Sequence, residues 1–334
     1  FKREGLISAK GHRGEAIALG NLGNVYRALG RIDEALDCHQ QCLTLAQSMG
    51  DRVLLMKALN SLGNNSYFIG EMAQALTFFQ QGLALAEQLG ERQTASIITE
   101  NIGDVCHTQG QHQSAISNYG VALEAARTLG DRSLETSALH KLGNVYETLG
   151  DYQQALYLAE QSIAIAQQIG DQAQIAAALN TKSHLCYCLV NHQAGLEAHN
   201  RAMAIAEAIQ LPALISAAAG GLGTIYHGLG QYEQALYYHQ KDLALAEAIG
   251  DTVGQGQASG NLGLVCTAMG QYEQALTYHS KDLDVAREIG DLSGEGRALG
   301  NLGIVYQYLE DYGRALEHYH QALVICQMTG EIHR

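Results

Sequence analysis

Apolar residues recur at helical spacing along almost the whole chain. Near its C-terminal end Leu302, Val305, Tyr306 and Leu309 form one stripe, and Tyr312, Ala315, Leu316, Tyr319 and Leu323 form another. Both follow i, i+3, i+4, i+7, the spacing of one buried helix face. A short break separates such stripes, usually at a glycine (Gly30, Gly70, Gly110, Gly150, Gly230, Gly270). The second stripe of each pair ends at a step such as Gly250-Asp251. There glycine can take the left-handed position after the helix, and aspartate can cap the next one. The pattern predicts antiparallel helix pairs, each helix of about 15–18 residues and roughly 25 Å long.

These pairs repeat. Gly23 is followed at steps of forty by Gly63, Gly103, Gly143, Ser183, Gly223, Gly263 and Gly303. A second column reads Ala35, Ala75, Ala115, Ala155, Gly195, Ala235, Ala275, Ala315. A third runs from Gly50 to Gly330, interrupted by Gln210. Columns in phase without an insertion mean stacked units rather than one central core. The eight units are 11–50, 51–90, 91–130, 131–170, 171–210, 211–250, 251–290 and 291–330. Residues 1–10 match the end of a preceding unit, and 331–334 are a tail. With Phe1 as first residue, this favours a piece of a longer protein.

The motif Gly-Asn-Leu-Gly (20–23, 260–263, 300–303) places two glycines inside a helix, each costing about 1 kcal/mol relative to alanine. The second glycine of each unit (Gly23, Gly63, Gly103, Gly143, Gly223, Gly263, Gly303) is expected to meet the alanine column, letting two backbones approach. The first (Gly20, Gly220, Gly260, Gly300) is expected to floor a groove.

At these columns the sequence resembles the tetratricopeptide repeat over about residues 11–330. The forty-residue length and stretches such as 294–325 are similar to the long repeats of Pins/LGN-type adaptors, and of bacterial signalling proteins with effector domains. The resemblance implies an all-α, right-handed superhelical solenoid of eight antiparallel helix pairs, with first helices lining a concave surface. The face opposite their apolar stripe carries the columns starting at Ile17, Gly20, Asn24 and Arg27. One end presents Asn24, Arg27, Lys57, Asn60, Asn64 and Tyr67. The acidic, histidine-rich middle presents Glu100, Asp104, His140, Asn144, Asn180 and His184. The far end presents His227, Leu264, Arg297 and Ile304, with glycines between them. Asn24, Asn64 and Asn144 match the family's peptide-holding asparagine, whose amide both donates to and accepts from a backbone. Asp104 alters that position, and Leu264 and Ile304 depart from it. Arg297 matches a groove arginine of the Pins-type repeats, with Lys57 in its column.

Charge and composition narrow the function. A formal net charge of −14 disfavours nucleic acid and anionic membrane as partners, and no apolar run is long enough to span a bilayer. The seven cysteines include no CxxC pair and suit reduced thiols in a cytoplasmic protein, with Cys38 and Cys42 in the core. His184, Cys188 and His192 have metal-ligand spacing, but His192 follows a helix break and no fourth ligand is evident, so no metal or other cofactor is expected. His39, His199, His239 and His279 share a column and read as packing between repeats. Lys241-Asp242 and Lys281-Asp282 read as a solvated face. The fifth repeat lacks its glycines at Ser183, Val190 and Gln210 and is followed by the only proline, Pro212. This reads as a degenerate repeat whose altered loop changes the superhelix pitch, the alternative being a hinge or a partner-specific bump. With no catalytic constellation, the expected function is a non-catalytic scaffold binding an extended peptide or a helical segment of a protein partner in the groove. Self-association through exposed end repeats is a further expectation. The alternative is the ligand-sensing arm of a larger signalling enzyme, such as a STAND ATPase or a caspase-like protease.

Overall fold

Helix boundaries fall at the residues that punctuate the sequence. The computed structural model describes residues 2–329, with side chains over 12–328. The described chain is all-α. Its contacts divide it into two compact units, Phe1–Ile165 and Ala166–Arg334. The first holds α1 (Lys2–Ala28), α2 (Ile32–Met49), α3 (Arg52–Phe68), α4 (Met72–Leu89), α5 (Arg92–Thr108), α6 (His112–Leu129), α7 (Arg132–Thr148) and most of α8 (Tyr152–Ile169). The second holds α9 (Gln172–Cys188), α10 (His192–Ala208), α11 (Pro212–Gly228), α12 (Tyr232–Ile249), α13 (Thr252–Ala268), α14 (Tyr272–Ile289), α15 (Leu292–Tyr308) and α16 (Tyr312–Thr329). The helix α1 runs unbroken from Lys2, without the separation expected between residues 10 and 11.

Second helices close on left-handed glycines: Gly50, Gly90, Gly130, Gly250 and Gly290 have φ of 65°, 71°, 68°, 71° and 71°. Without a Cβ, glycine adopts this turn freely and lets the next amide reach back into the helix, as Asp51 N–H does to the Ala46 carbonyl at 3.0 Å. The aspartate that follows then caps the next helix. Asp131 accepts from the amides of Ser133 and Leu134, and Asp251 from that of Gly254.

The fifth repeat corrects the reading of an altered loop. Val190 and Gln210 adopt the left-handed turn with φ of 60° and 53°, so the loops keep their path although the glycines are gone. Pro212 opens α11 where its missing N–H costs nothing. A β-branched residue at positive φ is strained by about 1–3 kcal/mol. Val190→Gly is therefore expected to stabilise the protein by about 1 kcal/mol after the entropy glycine adds to the unfolded chain. The urea midpoint measures it.

Within each unit, α2, α4 and α6, and then α10, α12 and α14, pack on their hairpin partners and on the next first helix, and α16 packs on α15. Successive first helices also touch: α1 with α3, α3 with α5 and α5 with α7, then α9 with α11, α11 with α13 and α13 with α15. Each stack is thus tighter on its first-helix side and bends towards it. The contact is most extensive between α9 and α11.

In six repeats the repeat glycine meets a ring rather than the alanine column, whereas Gly143 of the fourth has the Ala155 carbonyl as its nearest neighbour, at 3.8 Å. A Cβ built on Gly23, Gly63, Gly103 or Gly303 would lie 2.5 Å from the ring of His39, Phe79, Tyr119 or Tyr319, and one on Gly223 would lie 2.6 Å from His239. Gly263 overlaps the His279 ring in the same way. The ring sits four residues beyond the alanine, one turn along the partner helix. The glycine therefore makes a socket for a ring, and the alanines (Ala35, Ala75, Ala115, Ala155, Ala235 and Ala275 at 0% exposure, Ala315 at 4%) fill the core beside it. The fourth repeat has Ala159 in the ring column, and the neighbours of Gly143 lie 3.8 Å away or more. In the fifth, Ser183 closes the socket and His199 turns instead onto Gly221 of the next repeat. The histidine column thus packs on the glycine of its own hairpin, His199 excepted, and His39 also reaches Asn65 of the next repeat.

The last stripe is not buried as expected. Tyr312, Leu316 and Leu323 of α16 are exposed, and Leu309 is a helix cap rather than part of the stripe.

Candidate functional site

In the second unit a cavity of about 410 Å³ opens among α9, α11 and α13, with α10 and α12 behind them. That volume is in the range of small-ligand and peptide side-chain sites. Small residues create it. Ala213, Ala217, Gly220 and Gly221 bring the backbone of α11 to the surface where other residue types would fill the space. Asn180, His184 and Tyr187 wall one side, Gln257 and Asn261 the other.

The cavity is acidic and lacks a lysine or arginine in its lining. Asp242 reaches through from α12, and a Cβ on Gly220 would lie 2.7 Å from its Oδ2. Ser216 donates its hydroxyl to Asp242 Oδ1. Burial raises the Asp242 carboxyl to about 6, Ser216 opposing and the nearby Asp251 adding to the shift. Burial also holds His199 down to about 4, so its ring is neutral at pH 7. Its Nδ1–H donates to Asn180 Oδ1 at 3.1 Å, which leaves the Asn180 Nδ2 donor without a partner in the protein.

One repeat later the same geometry is filled. Asp282 is 2% exposed behind Gly260, where a Cβ would lie 2.6 Å from its Oδ2. Arg297 donates to Asp282 Oδ1 at 3.2 Å. Asp242 and Asp282 are thus not on a solvated face. Their neighbours Lys241 and Lys281 are the surface partners, pairing with Glu207 at 2.8 Å and Glu247 at 2.5 Å. The first glycines gain a different role as well. Gly220 and Gly260 are windows for a carboxylate, whereas a Cβ on Gly20 would meet only Cys42 at 3.8 Å and one on Gly300 nothing within 4 Å.

The remaining groove columns divide into engaged and open side chains. In the first unit the acidic centre is neutralised internally. Lys141 contacts Asp104 at 2.7 Å and Glu100 at 3.4 Å, and Tyr119 donates to Asp104 at 2.6 Å. Glu100 is 4% exposed, also accepts from Ser137, and is held above the usual carboxylate range by burial. It is a core acid rather than a groove residue. Arg297 likewise is tied to Asp282. Asn101 donates to Asn60 at 3.0 Å, Tyr67 pairs with Thr108 at 2.8 Å, and Asn144 donates to His140 Nε2 at 3.4 Å. Asn24, Arg27, Lys57, His184, Leu264 and Ile304 are exposed, and Asn64, Asn180 and His227 are half-buried.

Asn65, which sequence reasoning missed, is fully buried and donates to His39 Nδ1 at 2.9 Å, while His39 Nε2–H donates to the Gly20 carbonyl at 3.2 Å. Its signal was a polar residue in a column otherwise of valine, leucine and isoleucine. The His184–Cys188 pair stands 3.9 Å apart while His192 packs on Tyr187, and among the described residues no group of three His, Cys, Asp or Glu is arranged to hold a metal. Cys38 and Cys42 are buried thiols. No described helix is long and apolar enough to cross a membrane.

The tetratricopeptide repeat model matches residues 14–88, 93–168 and 254–328, and a second model of that description matches 218–252. A search of curated proteins gives no sequence match. Among solved structures, a STAND protein with a tetratricopeptide repeat sensor from Pyrococcus horikoshii aligns with a TM-score of 0.67 and 15% identity, over 93% of this chain and 47% of that one. The chain thus spans about half the length of that protein. A Rap protein complexed with Competence and Sporulation Factor aligns with a TM-score of 0.66 and 14% identity over 97% and 99%. The Rap conjugation regulator of plasmid pLS20, in complex with the Phr* peptide, gives 0.65 and 11% over 95% and 96%. At these identities the likeness is one of fold.

Proposed function

Because the chain belongs to the tetratricopeptide repeat family, whose model covers more than half of it, we propose that it is a non-catalytic scaffold that captures a peptide segment of a protein partner on its first-helix face. The observation that carries this reading is the cavity of the second unit, formed where α9, α11 and α13 come together and lined by hydrogen-bonding side chains, among them Asn180, whose Nδ2 donor has no partner in the protein. Capture of an extended peptide needs such groups for its backbone and pockets for its side chains. Asn24, Asn64 and Asn144 supply amides on the same helices of the first unit, and Leu264 and Ile304 supply apolar contact in the second. The two Rap structures of similar fold, one with Competence and Sporulation Factor and one with the Phr* peptide, fit a peptide occupant.

The test replaces Asn24, Asn64 and Asn144 together by alanine. Partner capture in a pull-down is expected to weaken tenfold or more, since each lost amide contact is worth about 0.5–1.5 kcal/mol. The helical circular dichroism signal and melting curve should stay nearly unchanged, because these side chains are exposed or half-buried. Undiminished capture would remove the asparagines from the site.

A further inference from the structure

The forty-residue symmetry lets one repeat serve as a template for the next. Asp282, Gly260 and Arg297 are the counterparts of Asp242, Gly220 and Gln257, each displaced by one repeat. In the later set a guanidinium from α15 lies over the Gly260 window, where a Cβ would sit 3.1 Å from Arg297 Nη1, and it pairs with the buried acid. In the earlier set the acid, the window and the surrounding helices are all present, but the arginine is replaced by Gln257, and open cavity lies above the window. A guanidinium is the group this geometry holds elsewhere in the same protein.

We propose that the cavity over Gly220 is a guanidinium subsite, in which an arginine side chain of a bound peptide takes, against Asp242, the place that Arg297 takes against Asp282. The inference rests on the peptide-capture reading and names the side chain that reading leaves open. Three features support it. Asp242 and Asp251 give the cavity two acids, its lining has no lysine or arginine, and the buried His199 ring is neutral, so a cation is the charge it accepts. Ser216 holds one oxygen of Asp242, which leaves Oδ2 facing the window. A planar guanidinium also presents several donors in a fixed fork, which suits a carboxylate in a cavity also lined by the amides of Gln257 and Asn261 better than an ammonium would. The chain's net charge of −14 favours the approach of a basic peptide.

The experiment titrates the whole chain with N-acetyl-arginine methylamide, and separately with its uncharged isostere N-acetyl-citrulline methylamide, following backbone amide resonances. Saturable shifts at Gly220, Gly221 and Asn261 are expected with the arginine compound, at least tenfold weaker with citrulline. Asp242→Asn should abolish the preference. Gln257→Arg should also abolish it while keeping the fold, by supplying the guanidinium internally. Arg297→Gln should open a second set of shifts at Gly260. Equal binding of the two compounds, or arginine binding that survives in both Asp242→Asn and Gln257→Arg, would overturn the proposal. This readout is independent of the asparagine test. Arginine discrimination with undiminished capture by the triple-alanine protein sinks the amide reading alone, and the reverse result sinks the subsite alone.

Discussion

Gly263→Ala should destabilise the protein by about 2–3 kcal/mol, towards the upper end of what overpacking a core costs. A single methyl is responsible. The added Cβ would overlap the ring of His279, which is 1% exposed and held on all sides. The ring cannot swing away as the tip of a long side chain would. The informative measurement is a double-mutant cycle in urea with His279→Ala. If the glycine is a ring socket, most of the Gly263→Ala cost should vanish once the ring is removed. If the glycine instead serves close approach to Ala275, the cost should persist in both backgrounds. Gly143, which has no ring against it, supplies the control: a Cβ there meets nothing nearer than the Ala155 carbonyl at 3.8 Å, and Gly143→Ala should be nearly neutral or slightly stabilising.

Stability should also fall steeply as pH is lowered from about 6.5 to 4, and His239→Phe should remove nearly one proton from that dependence. His199, His239 and His279 are buried neutral, and burial lowers each from 6.5 to about 4. Between those values the unfolded chain binds the protons and the folded chain does not, so stability is complete above about pH 6.5 and is lost as pH falls towards 4. A shift of that size corresponds to about 3 kcal/mol per histidine. Asp242 and Asp282 act in the opposite sense. Raised from 3.8 to about 6, they hold protons in the folded state, and their contribution is lost as pH rises through that interval. The wild-type profile is therefore a balance, and the variant isolates one histidine. Phenylalanine already fills this column as Phe79 against Gly63, and His239 Nδ1 has no hydrogen-bond partner to lose. Relative to wild type, His239→Phe should gain about 2–3 kcal/mol at pH 4.5 compared with pH 7. An unchanged pH profile in urea titrations would contradict a neutral buried ring.

The helices, their boundaries and their pairing were legible because each is written locally. A left-handed glycine, a capping aspartate and an apolar stripe need no knowledge of distant residues. Which side chain fills a given space was not legible, because that depends on packing across the hairpin. The alanine at 275 and the ring at 279 are one helical turn apart, and periodicity alone could not choose between them as the partner of Gly263. Asp242 and Asp282 were misread for the same reason. Beside Lys241 and Lys281 they look like surface charges, but they point to the other side of the helix, and only the pairing of Gly220 with Asp242 and of Gly260 with Asp282 reveals it. The fifth repeat shows the converse. Its sequence loses the turn glycines, yet the surrounding helices impose the same turns on Val190 and Gln210.

The central claim is that recognition takes place on the first-helix side of each stack. Hydroxyl-radical footprinting of the protein, alone and with its captured partner, tests it most directly. Protection is expected at first-helix side chains such as Asn24, Asn64, His184, Tyr187 and Leu264, with Tyr157 and Tyr237 on second helices still reactive. Protection confined to those second-helix tyrosines, with the first helices unchanged, would contradict it.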